Sequence, residues 1–317
     1  MSPNYVMSGV CPPCESIGKS AIAGAVTSVF VIIPNFFVLV AVARNSKIRK
    51  NAYTVLVLLL CISDLLLGLS GLLFSGYYAM SHLNTDINRP VCTIILHFLV
   101  AGIAASLGQT LLICVNRFLA ASGATSTNEL LFKENRKYIT VTAMYVSVQA
   151  YFLAILPFQG SGPVMTCNFC NLYRGGNYQA GVIFISFAYT SLYFFILVLY
   201  GCAIVRLRKR FSQVVPGQSV LPTNGSMNSA SLPSYRMSVR AMTTLGVVLV
   251  LISVLTLPLV ISSILEAFKI EITLKAWTFT LCFALLNSIT NPIVYTWRFA
   301  DLREELKKML RIKAQCQ

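Results

Sequence analysis

The sequence predicts an all-α protein: a seven-transmembrane helix bundle followed by a short interfacial eighth helix. Three observations carry this. Of the 317 residues, 56% are hydrophobic and only 11% charged, against roughly 25% charged in ordinary soluble domains. Apolar runs close to the ~20 residues that cross a bilayer recur seven times, at about 20–43, 53–80, 93–121, 137–157, 179–205, 239–265 and 274–297. Third, Lys and Arg gather at alternate ends of those runs.

One set of ends holds Arg44, Lys47, Arg49, Lys50, Arg117, Lys133, Arg136, Lys137, the run Arg206 to Arg210, Arg236, Arg240 and the basic residues from Arg298 onward. The other holds only Lys19, Arg89, Arg174, Lys269 and Lys275. This asymmetry places the N-terminus outside and the C-terminus in the cytoplasm. The net charge of +15 is therefore topological first and a source of anionic-lipid contacts second, and nucleic acid is not an expected partner.

Residues 1–19 form a short polar extracellular tail with no basic n-region or apolar h-region, so the first span acts as its own insertion signal. Cys11 and Cys14 in that tail suit a disulfide better than a metal pair. The transmembrane domain covers 20–297. Its first span carries Pro34-Asn35, its second Ser63-Asp64-Leu65, and its third ends in Asn116-Arg117-Phe118. The fourth ends at Pro157, a loop with Cys167 and Cys170 follows, and the fifth carries Tyr200. Residues 212–235 are rich in Pro, Gly, Ser and Asn, a composition that builds no core, and read as a flexible cytoplasmic loop. The sixth span contains Leu257-Pro258, and the seventh runs through Asn287-Ser288-Ile289-Thr290-Asn291-Pro292-Ile293-Val294-Tyr295, where a proline beside buried amides implies a kink. In the last segment, 298–317, Phe299, Leu302, Leu306 and Leu310 make an apolar stripe at helical spacing, and Cys316 is placed as a lipidation site.

Asp64 is the one carboxylate deep inside a span. Its insertion costs roughly 2.5–3.5 kcal/mol, so it needs partners. Asn35, Ser106, Asn287, Ser288 and Asn291 lie at comparable depth on other helices. One carboxylate among neutral oxygens suits a hydrated cation, a protonated acid or a plain hydrogen-bonded packing network. Paired acids, a nucleophile with its base, or a metal cluster around His82 or His97 are lacking in the pattern, so no enzymatic activity is predicted.

Taken together, these residues resemble the rhodopsin-like G-protein-coupled receptor family over nearly the whole chain. Asn35 matches the family's first-helix asparagine, and Leu60 with Asp64 its second-helix Leu-x-x-x-Asp segment. Cys92 precedes Arg117 at the family's spacing between its disulfide cysteine and its Asp-Arg-Tyr arginine. Asn287 to Tyr295 follows Asn-Ser-x-x-Asn-Pro-x-x-Tyr. The resemblance implies a receptor that transmits an extracellular chemical signal to a heterotrimeric G protein at the plasma membrane. Arrestin is a further implied partner, through phosphorylation of the 212–235 loop, since the tail after Thr296 has no Ser or Thr. It implies a G-protein coupling and activation set of Asn116, Arg117, Tyr200, Asn291, Pro292 and Tyr295. It implies no required cofactor, only an allosteric sodium ion held by Asp64, Ser106, Asn287, Ser288 and Asn291. A disulfide is expected from Cys92 to Cys170, with Cys167 as the alternative.

The sequence departs from the family in ways that bear on activation. Asn116 stands where an acid precedes the arginine. The sixth span reads Leu255-Thr256-Leu257-Pro258 in place of Cys-Trp-x-Pro. Ile252 replaces an aromatic, Leu192 a fifth-helix proline, and the fourth span has no tryptophan. A signalling-silent or decoy receptor is thus the main rival reading, ahead of a transporter. Leu99 where amine receptors carry aspartate argues against an aminergic ligand, and Leu285 where opsins carry lysine argues against retinal. The expected pocket of Phe74, Tyr78, Leu99, Ile103, Phe184, Leu259, Ser263, Glu266, Trp277 and Leu281 suits an apolar small molecule, or a peptide with a basic group for Glu266.

Overall fold

The computed structural model describes residues 14–45, 52–83, 89–133, 135–155, 178–214, 231–268, 270, 272 and 274–315. Among these residues there are nine helices: α1 (Cys14–Arg44), α2 (Ala52–Leu83), α3 (Arg89–Ser122), α4 (Thr125–Phe132), α5 (Arg136–Ile155), α6 (Tyr178–Val214), α7 (Ser231–Ala267), α8 (Leu274–Arg298) and α9 (Ala300–Gln315). All except α4 and α9 are long and apolar enough to span a bilayer, giving seven spans where the hydropathy predicted them. Backbone donors and acceptors in lipid must be satisfied within the segment, and helices do this. Large side chains such as Phe30, Phe36, Leu73, Phe187 and Val254 face outward, as lipid contact allows.

Between spans, apolar burial gives no driving force, because lipid is as apolar as leucine; close packing of small residues takes its place. The α1–α2 seam shows this reciprocally. Ser28 Oγ donates to the Gly24 carbonyl (2.8 Å) and lies 2.5 Å from where a Cβ on Gly71 would stand. Ser75 Oγ donates to the Gly71 carbonyl (2.8 Å) and lies 2.5 Å from a Cβ on Gly24. Each hydroxyl is satisfied on its own helix and fills the notch opposite. The central helix is α3, whose Ala101, Ala104 and Ala105 are fully buried. Gly102 on it meets Leu67 of α2, and Gly108 meets Met144 of α5.

Two sequence expectations change in detail. α6 extends to Val214 and α7 begins at Ser231, so both ends of the predicted 212–235 loop are helical; residues 215–230 lie outside the described residues. On α9, Leu302 is buried and Leu306 and Met309 pack against the core, as does Phe299 just before the helix, while Leu310 is 60% exposed. The stripe therefore ends on Met309, whose three-residue step from Leu306 keeps it on the docked face. Asn45 Nδ2 at the end of α1 donates to Glu305 Oε2 (3.4 Å), holding α9 against the bundle.

Candidate functional site: a polar node between a cavity and an arginine

Pro292 sets up the centre of the molecule. It sits inside α8 and has no N–H, so the Ser288 carbonyl one turn earlier loses its helical donor. Asn35 Nδ2 of α1 donates to that carbonyl instead (3.0 Å), while also reaching its own Val31 carbonyl (2.9 Å). Beside this joint Asp64 of α2 is fully buried. Its Oδ1 accepts from Ser106 Oγ of α3 (2.7 Å) and Ser288 Oγ of α8 (2.7 Å), and its Oδ2 from Asn291 Nδ2 (2.9 Å). One carboxylate thereby joins three spans, and Asn35 ties in a fourth.

The node carries more oxygen than its bonds use. The amide oxygens of Asn35, Asn287 and Asn291 are buried with no hydrogen-bond partner among the described residues. Buried unpaired acceptors call for a water or an ion. The donor set is one carboxylate, two hydroxyls and amide oxygens, which fits a hard monovalent cation. Among the described residues no group of three or more His, Cys, Asp or Glu comes together, as a tight divalent or zinc site would want.

At the opposite end of α3 from Arg89 lies half-buried Arg117. The local backbone decides what surrounds it. Gly123 takes φ 72°, and the Ala124 N–H reaches the Leu119 carbonyl (3.2 Å) while the Gly123 N–H reaches Ala120 (3.4 Å). This is a left-handed cap that ends α3 and folds the chain back. The short helix α4 that follows places Asn128 against Asn116, whose Nδ2 donates to Asn128 Oδ1 (2.9 Å). Asn116 is therefore committed to α4, a partnership the sequence did not suggest. Tyr295 of α8 is buried at this end too.

Tyr200 of α6 projects its hydroxyl against Gly246 of α7, and a Cβ there would stand inside contact distance of that oxygen. We predict that Gly246→Ala forces Tyr200 off α7 and loosens the α6–α7 packing. If those helix ends separate on activation, ligand-free G-protein activation should rise severalfold at matched surface expression. Unchanged basal signalling would rule out this seam as a restraint.

Toward the other end, two cavities share a wall. One is lined by Leu99, Ile103, Leu259, Ser263, Glu266, Trp277 and Leu281 from the predicted set, together with Leu96, Val100, Val182, Ile185 and Tyr189. The other, between α1, α2, α3 and α8, is lined by Phe74, Leu99, Trp277 and Leu281 together with small residues such as Gly24, Gly71 and Ser75. Leu99, Trp277 and Leu281 separate the two. The Glu266 carboxylate accepts a hydrogen bond from Trp277. Phe184 lines neither cavity and is 41% exposed on the outer face of α6; Val182, Ile185 and Tyr189 hold the inward face instead. Tyr189 Oη donates to the Val100 carbonyl (3.0 Å), and Ser186 Oγ to the Ser263 carbonyl (2.7 Å), closing α6 onto α3 and α7. His97 pairs with Gln149 of α5 (3.1 Å). The side chains of Tyr78 and Cys92, and all of Cys11, Cys167, Cys170 and Cys316, lie outside the described residues.

Seven spans, a buried acid joining α2, α3 and α8, and an arginine at the end of α3 define a helical membrane receptor. The chain belongs to the rhodopsin family of seven-transmembrane receptors: the family model, 7 transmembrane receptor (rhodopsin family), matches residues 34–295. It is similar to sphingosine 1-phosphate receptor 1 of Danio rerio, with 25% identity over 294 residues, covering 89% of this chain and 75% of that receptor. It is also similar to lysophosphatidic acid receptor 3 of Homo sapiens, with 23% identity, covering 90% of this chain and 77% of the relative. Cannabinoid receptor 1 of Xenopus laevis is 24% identical, and the match covers 95% of this chain but 64% of that receptor's length. The family is one of receptors, not enzymes.

Proposed function

We propose that this receptor passes an extracellular chemical signal to a heterotrimeric G protein at the plasma membrane, N-terminus outside and C-terminus in the cytoplasm. The supporting observation is that Asp64 is bonded at once to α3, which carries Arg117, and to α8, which carries Tyr295, on the path between the cavities and that end. A ligand that packs Leu99, Trp277 and Leu281 differently changes how α3 and α8 meet, and so biases the separation of α6 from α7. Such a shift requires only that the ligand bind one packing better than the other. Sodium at the node is expected to favour the resting packing, and arrestin to engage phosphorylated Ser and Thr of the 212–235 segment.

The relatives are named for lipids, and the two apolar cavities suit one. Among the described residues, those lining them include Glu266 and no Lys or Arg. An acid facing a phosphate would repel it, so the favoured ligand is a lipid or other apolar molecule whose polar group is neutral or cationic. The test is G-protein dissociation in cells expressing the receptor, across a G-protein panel, without ligand and with monoacylglycerols, N-acylethanolamides or lysophosphatidate. Responses to the neutral lipids that are altered by Glu266→Gln support the reading. A response to lysophosphatidate alone overturns the ligand class, and silence across the panel under all conditions favours a decoy.

Asn116 gives a second handle. Asn116→Asp keeps an acceptor for Asn128, whose amide can turn to donate, and adds a charge beside Arg117. Hydrogen bonds to charged groups contribute roughly 1.5–3 kcal/mol, about twice a neutral pair, so ligand-free signalling should fall about 3–10-fold. Basal activity equal to wild type at matched expression would show that the missing charge does not set the resting state.

A further inference from the structure

On the outer face of the bundle, at the Arg117 end, α3 and α6 line an open groove that belongs to neither cavity. Its wall on α6 is Val198, Gly201 and Val205, followed by Arg206 and Lys209. Val198 and Val205 are 42% and 52% exposed, and a Cβ on Gly201 would meet nothing within 4 Å, so the missing side chain is what hollows the helix face. From Val198 to Arg206 the helix rises about 12 Å, which carries the groove from hydrocarbon depth to the edge of the apolar span. There the chemistry changes from apolar to cationic.

The polar end is organised. Arg206 sits over the Phe118 ring, 5.2 Å from its centroid, which holds the guanidinium at the rim. Ser122 Oγ of α3, also at the groove, is buried with no hydrogen-bond partner among the described residues. Among the described residues no Asp or Glu lines the groove. An apolar trough ending in two cations, facing lipid, matches a molecule with acyl chains and an anionic head. A protein partner would have to reach a surface that lies within the span.

We propose that this α3–α6 groove is a specific binding site for an anionic glycerophospholipid, its chain along Val198, Gly201 and Val205 and its phosphate at Arg206 and Lys209. In the cell this rests on the reading that the Arg117 end faces the anionic cytoplasmic leaflet; binding itself does not. Basic side chains at the surface attract anionic lipid by about fivefold per cation. Bound lipid would bridge α3 and α6 from outside, opposite the node that bridges α3 and α8 from within.

The test uses the full chain in nanodiscs of phosphatidylcholine with a minor fraction of phosphatidylserine, read by native mass spectrometry of retained lipids. The symmetric bilayer makes the result independent of orientation, which protease protection in cells measures separately. Arg206→Ala with Lys209→Ala should weaken retention of one phosphatidylserine about 25-fold. Gly201→Leu fills the trough without touching the charges and should displace the same lipid. Lys307→Ala with Lys308→Ala on α9 should leave it in place, and soluble glycerophosphoserine should not compete at millimolar concentration. Retention equal to wild type in either groove variant overturns the site. So does an equal loss from the α9 variant, which would mark diffuse adsorption, or competition by the soluble head group, which would mark a phosphate site without a lipid seat.

Discussion

Arg117→Ala is expected to abolish G-protein activation, basal and ligand-driven, while leaving the receptor at the cell surface. Arg117 is half-buried at the end of α3, and its neighbours in sequence are committed elsewhere, Asn116 to Asn128 and Phe118 beneath Arg206. Its guanidinium is the group on this helix suited to form charged hydrogen bonds to a partner's carbonyls. Each such bond contributes roughly 1.5–3 kcal/mol, so losing even one weakens coupling about 10–100-fold. Folding should tolerate the change, because a side chain near the interface leaves no buried charge behind when truncated. Arg117→Lys should give an intermediate signal, since lysine keeps the charge but lacks the planar fork. The measurement is G-protein dissociation at matched surface expression. Wild-type signalling by Arg117→Ala would remove this end of α3 from the coupling mechanism, whereas a Gly246→Ala effect without an Arg117 effect would relocate it to the α6–α7 seam.

What the sequence made legible was what breaks its own pattern. Asp64, Asn35, Asn287 and Asn291 stand out because polar groups in apolar spans are costly, and the node they form follows from that cost. The Asn35–Ser288 bond is legible too, once Pro292 is seen to free a carbonyl. Contacts made by small or neutral groups carry no such signal. Ser28 and Ser75 against Gly71 and Gly24 look like any four residues of a span, and only the close approach of α1 and α2 gives them meaning. The same holds for Gly246 beneath Tyr200. The Asn116–Asn128 pair needed the left-handed turn at Gly123, which brings α4 back to α3, and nothing in the spacing of 116 and 128 announces it. Phe184, expected in the pocket, faces outward. The helical period shows the better register, because Val182, Ile185, Ser186 and Tyr189 recur on one face and all are buried.

Two substitutions at Asp64 should separate its structural role from its electrical one. Asp64→Ala strands three donors, the hydroxyls of Ser106 and Ser288 and the amide of Asn291, at a fully buried position. Each stranded donor costs about 1–3 kcal/mol in soluble proteins, and polar contacts in membrane proteins average nearer 0.6. The total is about 2–9 kcal/mol against a whole stability of about 5–15. Asp64→Ala should therefore lower the thermal midpoint by several degrees at least and reduce surface expression. Asp64→Asn should not. Its Oδ1 still accepts from both serines, and its new N–H₂ would face Asn291 Nδ2, donor to donor. Rotating the Asn291 amide resolves this, because it turns the unpaired Asn291 Oδ1 toward the new donor. Stability should then stay within about 1 kcal/mol of wild type, while the formal charge that would attract a cation is gone. In wild type, replacing sodium by a bulky organic cation should raise basal signalling or agonist affinity; in Asp64→Asn it should change neither. If Asp64→Asn unfolds the receptor as Asp64→Ala does, the amide rotation does not occur and the node needs the carboxylate itself. If sodium dependence survives in a stable Asp64→Asn receptor, the cation binds elsewhere, and the buried oxygens of Asn35, Asn287 and Asn291 hold water.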